Sequence, residues 1–144
     1  MKRVRLNRND RRRLQGDDTG QLAQTLAAEE YASFSEFRDS QQFDLATDSG
    51  TVVEVKSTLS VLANGNAGRF RLFKKQHEPL VRKDRSANAW YVFVLFDIDG
   101  PEPVAKMIRK APADVGRVVG ARGGWNRSGH NQGMQHKLPI DAVF

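Results

Sequence analysis

Residues 42–58 read QFDLATDSGTVVEVKST. A short segment from Gln42 to Thr47 is followed by the turn formers Asp48, Ser49 and Gly50, and then by the β-branched run Thr51 to Thr58. The pattern predicts two strands joined as a hairpin. Side chains alternate across a strand, so Val53, Val55 and Ser57 face one way while Val52, Glu54 and Lys56 face the other. Glu54 and Lys56 are then neighbours on one face, ~7 Å apart. An acid and a lysine set among valines on a half-buried strand cost desolvation energy unless some chemistry uses them. A hairpin turning near residue 49 brings Asp44 beside the 54–56 segment. Asp44 and Glu54 together make a hard oxygen site suited to Mg2+, with Mn2+ as a substitute. Lys56 is placed to orient a water and to stabilise charge building on an attacked phosphorus.

Outward from this hairpin, the chain predicts an α/β protein. Gly16 to Gly20 is a break, and Gln21 to Tyr31 carries Leu22, Ala23, Leu26 and Ala27 near helical spacing. Ser33 to Ser40 fits a helical turn or a loop. Leu59 to Gly68 reads as a loop around Asn64-Gly65-Asn66, and Arg69 to Phe73 (RFRLF) alternates as a third strand. Lys74 to Lys83 is expected to be helical, with Pro79 in its first turns or at a kink. Ala89 to Asp97 (AWYVFVLFD) is nearly continuous in apolar residues, as in a buried central strand. Val104 to Ile108 is expected as an edge strand and Ala113 to Val119 as a short helix. From Gly120 to Lys137 the Gly-rich polar sequence reads as loop. The order α-β-β-β-α-β implies a mixed sheet with helices packed on it.

The arrangement Asp44-x9-Glu54-Val55-Lys56, between a leading helix and a following apolar strand, resembles the core of the PD-(D/E)XK, or restriction-endonuclease-like, nucleases. The resemblance spans roughly Gly20 to Asp97. It implies a restriction-endonuclease-like mixed β-sheet flanked by α-helices, with Asp44 and Glu54 as metal ligands and Lys56 assisting the hydrolytic water. Many members add a glutamate from the first helix; here Gln24 stands at that position, and Glu29 and Glu30 come later on the same helix. Some members place a glutamine on the helix after the ExK strand, a role that falls to Gln76. The adjacent His77 is expected at the surface or in contact with substrate. Phe43 replaces the proline of the family name. Asp44, Glu54, Lys56 and Gln76 are the expected catalytic set of a magnesium-dependent endodeoxyribonuclease. Acid-x-Lys is a weak motif alone, since 17 acids among 144 residues make a chance occurrence easy. Its place inside the β-branched strand, with Asp44 in reach, gives it meaning.

Net charge is +6, and the excess is concentrated at the N-terminus. Lys2, Arg3, Arg5, Arg8, Arg11, Arg12 and Arg13 stand against the single acid Asp10, while the chain from Leu14 onward is neutral. Residues 1–15 are expected to be a basic arm contacting nucleic-acid phosphates, and 16–144 a single nuclease domain. The plain alternative is a solubilising tail. A second basic group contains Arg69, Arg71, Lys74 and Lys75, which either flank the site and track phosphates or form an ordinary solvated face. DNA is thus the expected partner. A small stand-alone domain with a basic arm resembles the family's Holliday-junction resolvases, which act as homodimers on branched DNA. Rival readings are a restriction or repair nuclease, a non-catalytic DNA-binding module on the same fold, and an RNA-associated basic protein.

Other chemistries are poorly served. Cysteine is absent, which excludes disulfides and thiolate metal sites and fits an intracellular, cytoplasmic protein. No apolar run suits a membrane span or a secretory leader. His130 and His136 are too few for zinc. Trp125 and Arg127 suit a DNA-contacting loop, although Trp125 and Trp90 suit the core equally well. No phosphate-binding P-loop is present.

Overall fold

A computed structural model describes residues 1–16, 18–31, 35–36, 43–47, 50–86, 88–127 and 133–144. Gln42, the Asp48-Ser49 turn and His130 lie outside the described residues, as does most of 33–40. The main sheet has six strands: β1 (Lys2–Arg5), β2 (Ser35–Glu36), β3 (Leu45–Ala46), β4 (Val52–Leu59), β6 (Ala89–Asp97) and β7 (Val104–Lys110). Their spatial order is β1-β7-β6-β4-β3-β2. A second, three-stranded sheet is built from β5 (Arg69–Phe73), β8 (Asn126–Arg127) and β9 (Met134–Pro139), with β9 in the middle.

The hairpin forms as expected: β3 pairs antiparallel with β4, Leu45 opposite Val53 and Ala46 opposite Val52. The apolar run β6 is central and pairs with β4 in parallel, in register from Val52↔Ala89 to Leu59↔Phe96. A parallel pair needs a crossover, and the crossover consists of β5 followed by helix α3 (Lys74–Asp84). Pro79 lies in the second turn of α3 and is buried there. Gly68, just before β5, passes against β4 so closely that a Cβ would stand 1.9 Å from the Leu59 carbonyl oxygen. Only glycine permits that approach.

Each face of the main sheet carries its own core. Val53, Val55, Val92, Val94 and Phe96 pack under helices α1 (Arg8–Gln15) and α2 (Thr19–Glu30), through Leu14, Leu22, Ala23, Leu26 and Ala27. On the opposite face Tyr91, Phe93 and Leu95 meet Phe70 and Leu72 of β5, Leu80 of α3, Leu138 of β9, and Val115 and Val119 of helix α4 (Pro112–Ala121). A mixed sheet covered by helices is consistent with a restriction-endonuclease-like fold. No helix among the described residues is long and apolar enough to cross a membrane.

Three expectations need correction. Residues 1–15 are not an arm: Lys2 to Arg5 pair antiparallel with Val104 to Met107, and α1 follows, capped reciprocally by Asn7 and Asp10. Its arginines point outward, while Leu6 and Leu14 are buried in the core shared with α2. Alternation of basic and apolar residues lets this segment fold despite its charge. Val104 to Lys110 consequently lies between β6 and β1 and is not an edge strand. The expected loop 120–137 contains β8 and most of β9, whose buried His136 and Leu138 alternate with more exposed neighbours. The flanking Gly-rich residues mask that alternation. If residues 1–15 belong to the fold, Leu14→Ala should cost about 2–5 kcal/mol. Arg11→Ala and Arg12→Ala should each stay within about 0.5 kcal/mol. Urea unfolding of the three variants would check this, and an equally harmless Leu14→Ala would restore the arm.

Candidate active site

The candidate site lies where β3 separates from β4. Asp44 N–H donates to the Val53 carbonyl at 3.0 Å. The next inward N–H, that of Val55, donates instead to Asp44 Oδ2 at 2.8 Å. Gln24 of α2 donates from Nε2 to Asp44 Oδ1 at 3.2 Å. One carboxylate is thus held by the strand backbone and by the first long helix. Gln24 is the α2 residue whose side chain reaches Asp44, whereas Glu29 is exposed near the end of that helix.

Glu54 is only 4% exposed. It shares a sheet face with Val52 and Lys56, and its register partner on β6 is the fully buried Tyr91. Burial pushes the Glu54 carboxyl up to about 8, Lys56 opposes the shift, and the nearby Asp44 carboxylate adds to it. Lys56 Nζ lies 3.6 Å from Glu54 Oε1, donates to Gln76 Oε1 at 2.6 Å, and sits 5.3 Å from the centre of the Phe73 ring. Gln76 is in the first turn of α3, so the crossover that makes β4 and β6 parallel also delivers Gln76 to Lys56. The structure therefore brings Asp44, Glu54, Lys56 and Gln76 together.

His77 departs from expectation. It is buried, its Nδ1 lies 2.9 Å from the Tyr91 hydroxyl, and its ring stacks on Tyr91 and leans against Trp125. Desolvation lowers its pKa, partly offset by Glu78, and burial pushes the Tyr91 hydroxyl up, with Glu54 adding to the rise. Both side chains support the site from behind, and neither is a surface group. The sequence does not disclose the Tyr91–His77 pair, because an apolar strand gives no sign of which aromatic stands beside Glu54. His136 is also buried; its Nδ1 lies 2.8 Å from the Gly124 carbonyl, so the ring is committed to a structural bond. Trp125 packs on the core, and Trp90 is half-buried with Arg109 stacked on it at 4.4 Å.

The expected basic residues fall on two surfaces. Arg3, Arg5, Arg8, Arg11 and Arg12 are exposed on β1 and α1, with Arg5 paired to Glu102 at 2.7 Å. Arg13 pairs with Asp18 at 2.6 Å. β1 is separated from β4 by two intervening strands, which puts β1 ~14 Å across the sheet from the strand that carries Glu54. Arg69 and Arg71 are exposed on β5, immediately before Phe73 and the site. Lys74 pairs with Glu78 at 3.8 Å, and Lys75 is exposed.

Residues 9–144 match the family model of the PD-(D/E)XK nuclease superfamily domain. The chain belongs to that superfamily, whose members are generally nucleases and typically use divalent metals. No curated protein matches the chain.

Among the described residues no group of three or more His, Cys, Asp or Glu is gathered as a metal site. The donor set at the hairpin nevertheless fits magnesium, which keeps several waters and is often held by one or two carboxylates. Burial and the neighbouring Asp44 carboxylate raise the cost of ionising Glu54, and a cation held between the two acids would offset that cost.

Burial of Glu54 has a consequence for stability. Its folded pKa of about 8 lies above the ordinary 4.5, so the fold holds this proton more tightly than the unfolded chain does. The associated stability is complete below 4.5 and is lost as pH rises through about 8. Glu54→Gln should therefore match wild type near pH 4, below the ordinary 4.5, and exceed it at pH 9 by a few kcal/mol, because each tenfold gain in proton affinity is worth about 1.4 kcal/mol. Urea unfolding in a chelator measures this, and parallel pH profiles for the two proteins would contradict it.

Proposed function

We propose that this protein is a magnesium-dependent endodeoxyribonuclease that hydrolyses phosphodiester bonds at Asp44, Glu54 and Lys56. The observation that supports the reading best is the convergence of the Asp44 and Glu54 carboxylates on one side of a lysine held by Gln76. Asp44 and Glu54 would hold the metal, which when bound supplies Lewis acidity at a phosphoryl oxygen and a more acidic water. Gln76 and Glu54 fix the Lys56 ammonium at the mouth of the site, where it orients the attacking water and offsets charge on the phosphorane-like transition state. Gln24 holds Asp44 in its conformer. The buried Tyr91 and His77 keep water from the back of the site and hold Glu54 against movement in that direction.

Branched DNA is the substrate form we favour, cut by a homodimer as a Holliday-junction resolvase would. Support comes from the two separated basic surfaces, one on β1 and α1 and one on β5, which suit two duplex arms better than one. A restriction or repair nuclease on linear duplex is the neighbouring reading.

Supercoiled plasmid and a synthetic four-way junction, each incubated with and without Mg2+, should be cut only with the metal. Lys56→Ala should lower cleavage by at least ~10²-fold, the usual scale for removing one transition-state contact. Gln76→Ala should lower it by less. Intact substrates with wild type would sink the nuclease reading, and cutting of plasmid but not junction would sink the resolvase form. Because metal must displace the Glu54 proton, apparent Mg2+ affinity should rise with pH up to about 8 and then level off. Titration of the metal at several pH values checks this, and a pH-independent affinity would remove Glu54 from the ligand set.

A further inference from the structure

The outward face of the three-stranded sheet has no role in the chemistry described so far. On β5 the buried Phe70 and Leu72 alternate with the outward Arg69, Arg71 and Phe73. Antiparallel pairing places Lys137 opposite Arg71 and Gln135 opposite Phe73 on that same face, with Asn126 of β8 opposite Gln135. Arg69, Asn126, Gln135, His136 and Lys137 line a cleft of 290 Å³. Arg69, Arg71 and Lys137 form no ion pair among the described residues, unlike Arg5, Arg13, Lys74 and Arg117. Gln135 Oε1 is screened from solvent and has no hydrogen-bond partner among the described residues. Unneutralised guanidinium and ammonium groups gathered at a concave surface repel one another unless an anion joins them. An orphan amide acceptor asks for an N–H or O–H donor in the same place.

The face is also connected to the site. Phe73 stands at the near end of the row, its ring against the Lys56 ammonium. From Phe73 to Arg69 the strand advances ~13 Å at 3.3–3.4 Å per residue. That span matches about four nucleotides at a rise of 3.4 Å each along one strand.

We propose that this cleft is a second phosphate-binding subsite, which holds the substrate strand about four nucleotides from the scissile bond. The proposal rests on the nuclease reading and names the nucleic-acid backbone as the ligand. Arg69 and Lys137 take the phosphate, Arg71 bridges toward the site, and Gln135 accepts from a base amino group of the same strand. The subsite binds substrate without touching the reacting atoms, so it acts on KM and leaves the chemical step alone.

The test is the double variant Arg69→Ala/Lys137→Ala beside wild type and the charge-conserving Arg69→Lys/Lys137→Arg. Binding of a duplex of about 30 base pairs is followed from about 50 to 200 mM salt without divalent metal, and cleavage is followed with Mg2+. Removing two phosphate contacts should reduce the slope of log affinity against log salt by about two. It should raise KM for the four-way junction about tenfold or more at unchanged kcat, and leave hydrolysis of bis(p-nitrophenyl) phosphate as in wild type. The charge-conserving variant should retain most of the affinity. An unchanged salt slope in the double variant overturns the subsite, even if wild type cleaves well. Absence of cleavage by wild type would instead strike the nuclease reading, and the salt slope would still decide whether the cleft binds DNA.

Discussion

Parallel, in-register pairing of β4 with β6 is the constraint from which the rest of the molecule follows. A parallel pair cannot be closed by a tight turn, so the chain between them must cross one face of the sheet. That crossing is made by β5 and α3, and it covers the face bearing Val52, Glu54 and Lys56. Coverage buries Glu54, brings the first turn of α3 to Lys56, and leaves Asp44 at the margin where the short β3 ends. Had β4 and β6 been joined as a hairpin, Glu54 and Lys56 would have formed an ordinary solvent-screened ion pair of little energetic value.

The cost of this arrangement is electrostatic and is concentrated at one carboxyl group. Glu54 is removed from water, faces a second acid, and has one lysine at 3.6 Å in partial compensation. Asp44 is better served, since Val55 N–H and Gln24 donate to its two oxygens. A protein selected for stability alone would place an apolar residue at position 54. Retention of two acids and a lysine at a covered strand is strain of the kind that a divalent cation relieves, and membership of a nuclease superfamily agrees with that reading.

Positive charge is carried on rigid elements in both places where it gathers. The N-terminal arginines sit on an edge strand and a helix whose apolar residues join the α2 core, so their positions are fixed relative to the site. The cations of β5 and β9 occupy another sheet, adjacent to Lys56 through Phe73. Rigid placement of both groups gives the domain two charged surfaces at defined distances from the acids, which a flexible tail would not provide.

Much of this was legible in the order of residues. The hairpin announced itself through β-branched density around a Gly turn, and β6 through an unbroken apolar run, because local periodicity reports burial. The pairing of Asp44 with Glu54 and Lys56 followed from the hairpin, since a turn near residue 49 allows few registers. The placement of Gln76 against Lys56 came from the family resemblance, as sequence separation alone does not say where a helix will dock. Other features depended on contacts distant along the chain. A dense Arg block reads as an arm until Val104 to Met107 supply a strand for it to pair with, and β9 stays hidden among glycines until Phe70 and Leu72 offer their apolar face. His77 looked like a surface histidine because its partner Tyr91 lies 14 residues away on a strand whose facing is set only by the parallel register. Alternation along each segment thus determined which residues could share a face. The tertiary structure decided which faces were covered, and by what, because covering a face requires segments whose proximity no local pattern encodes.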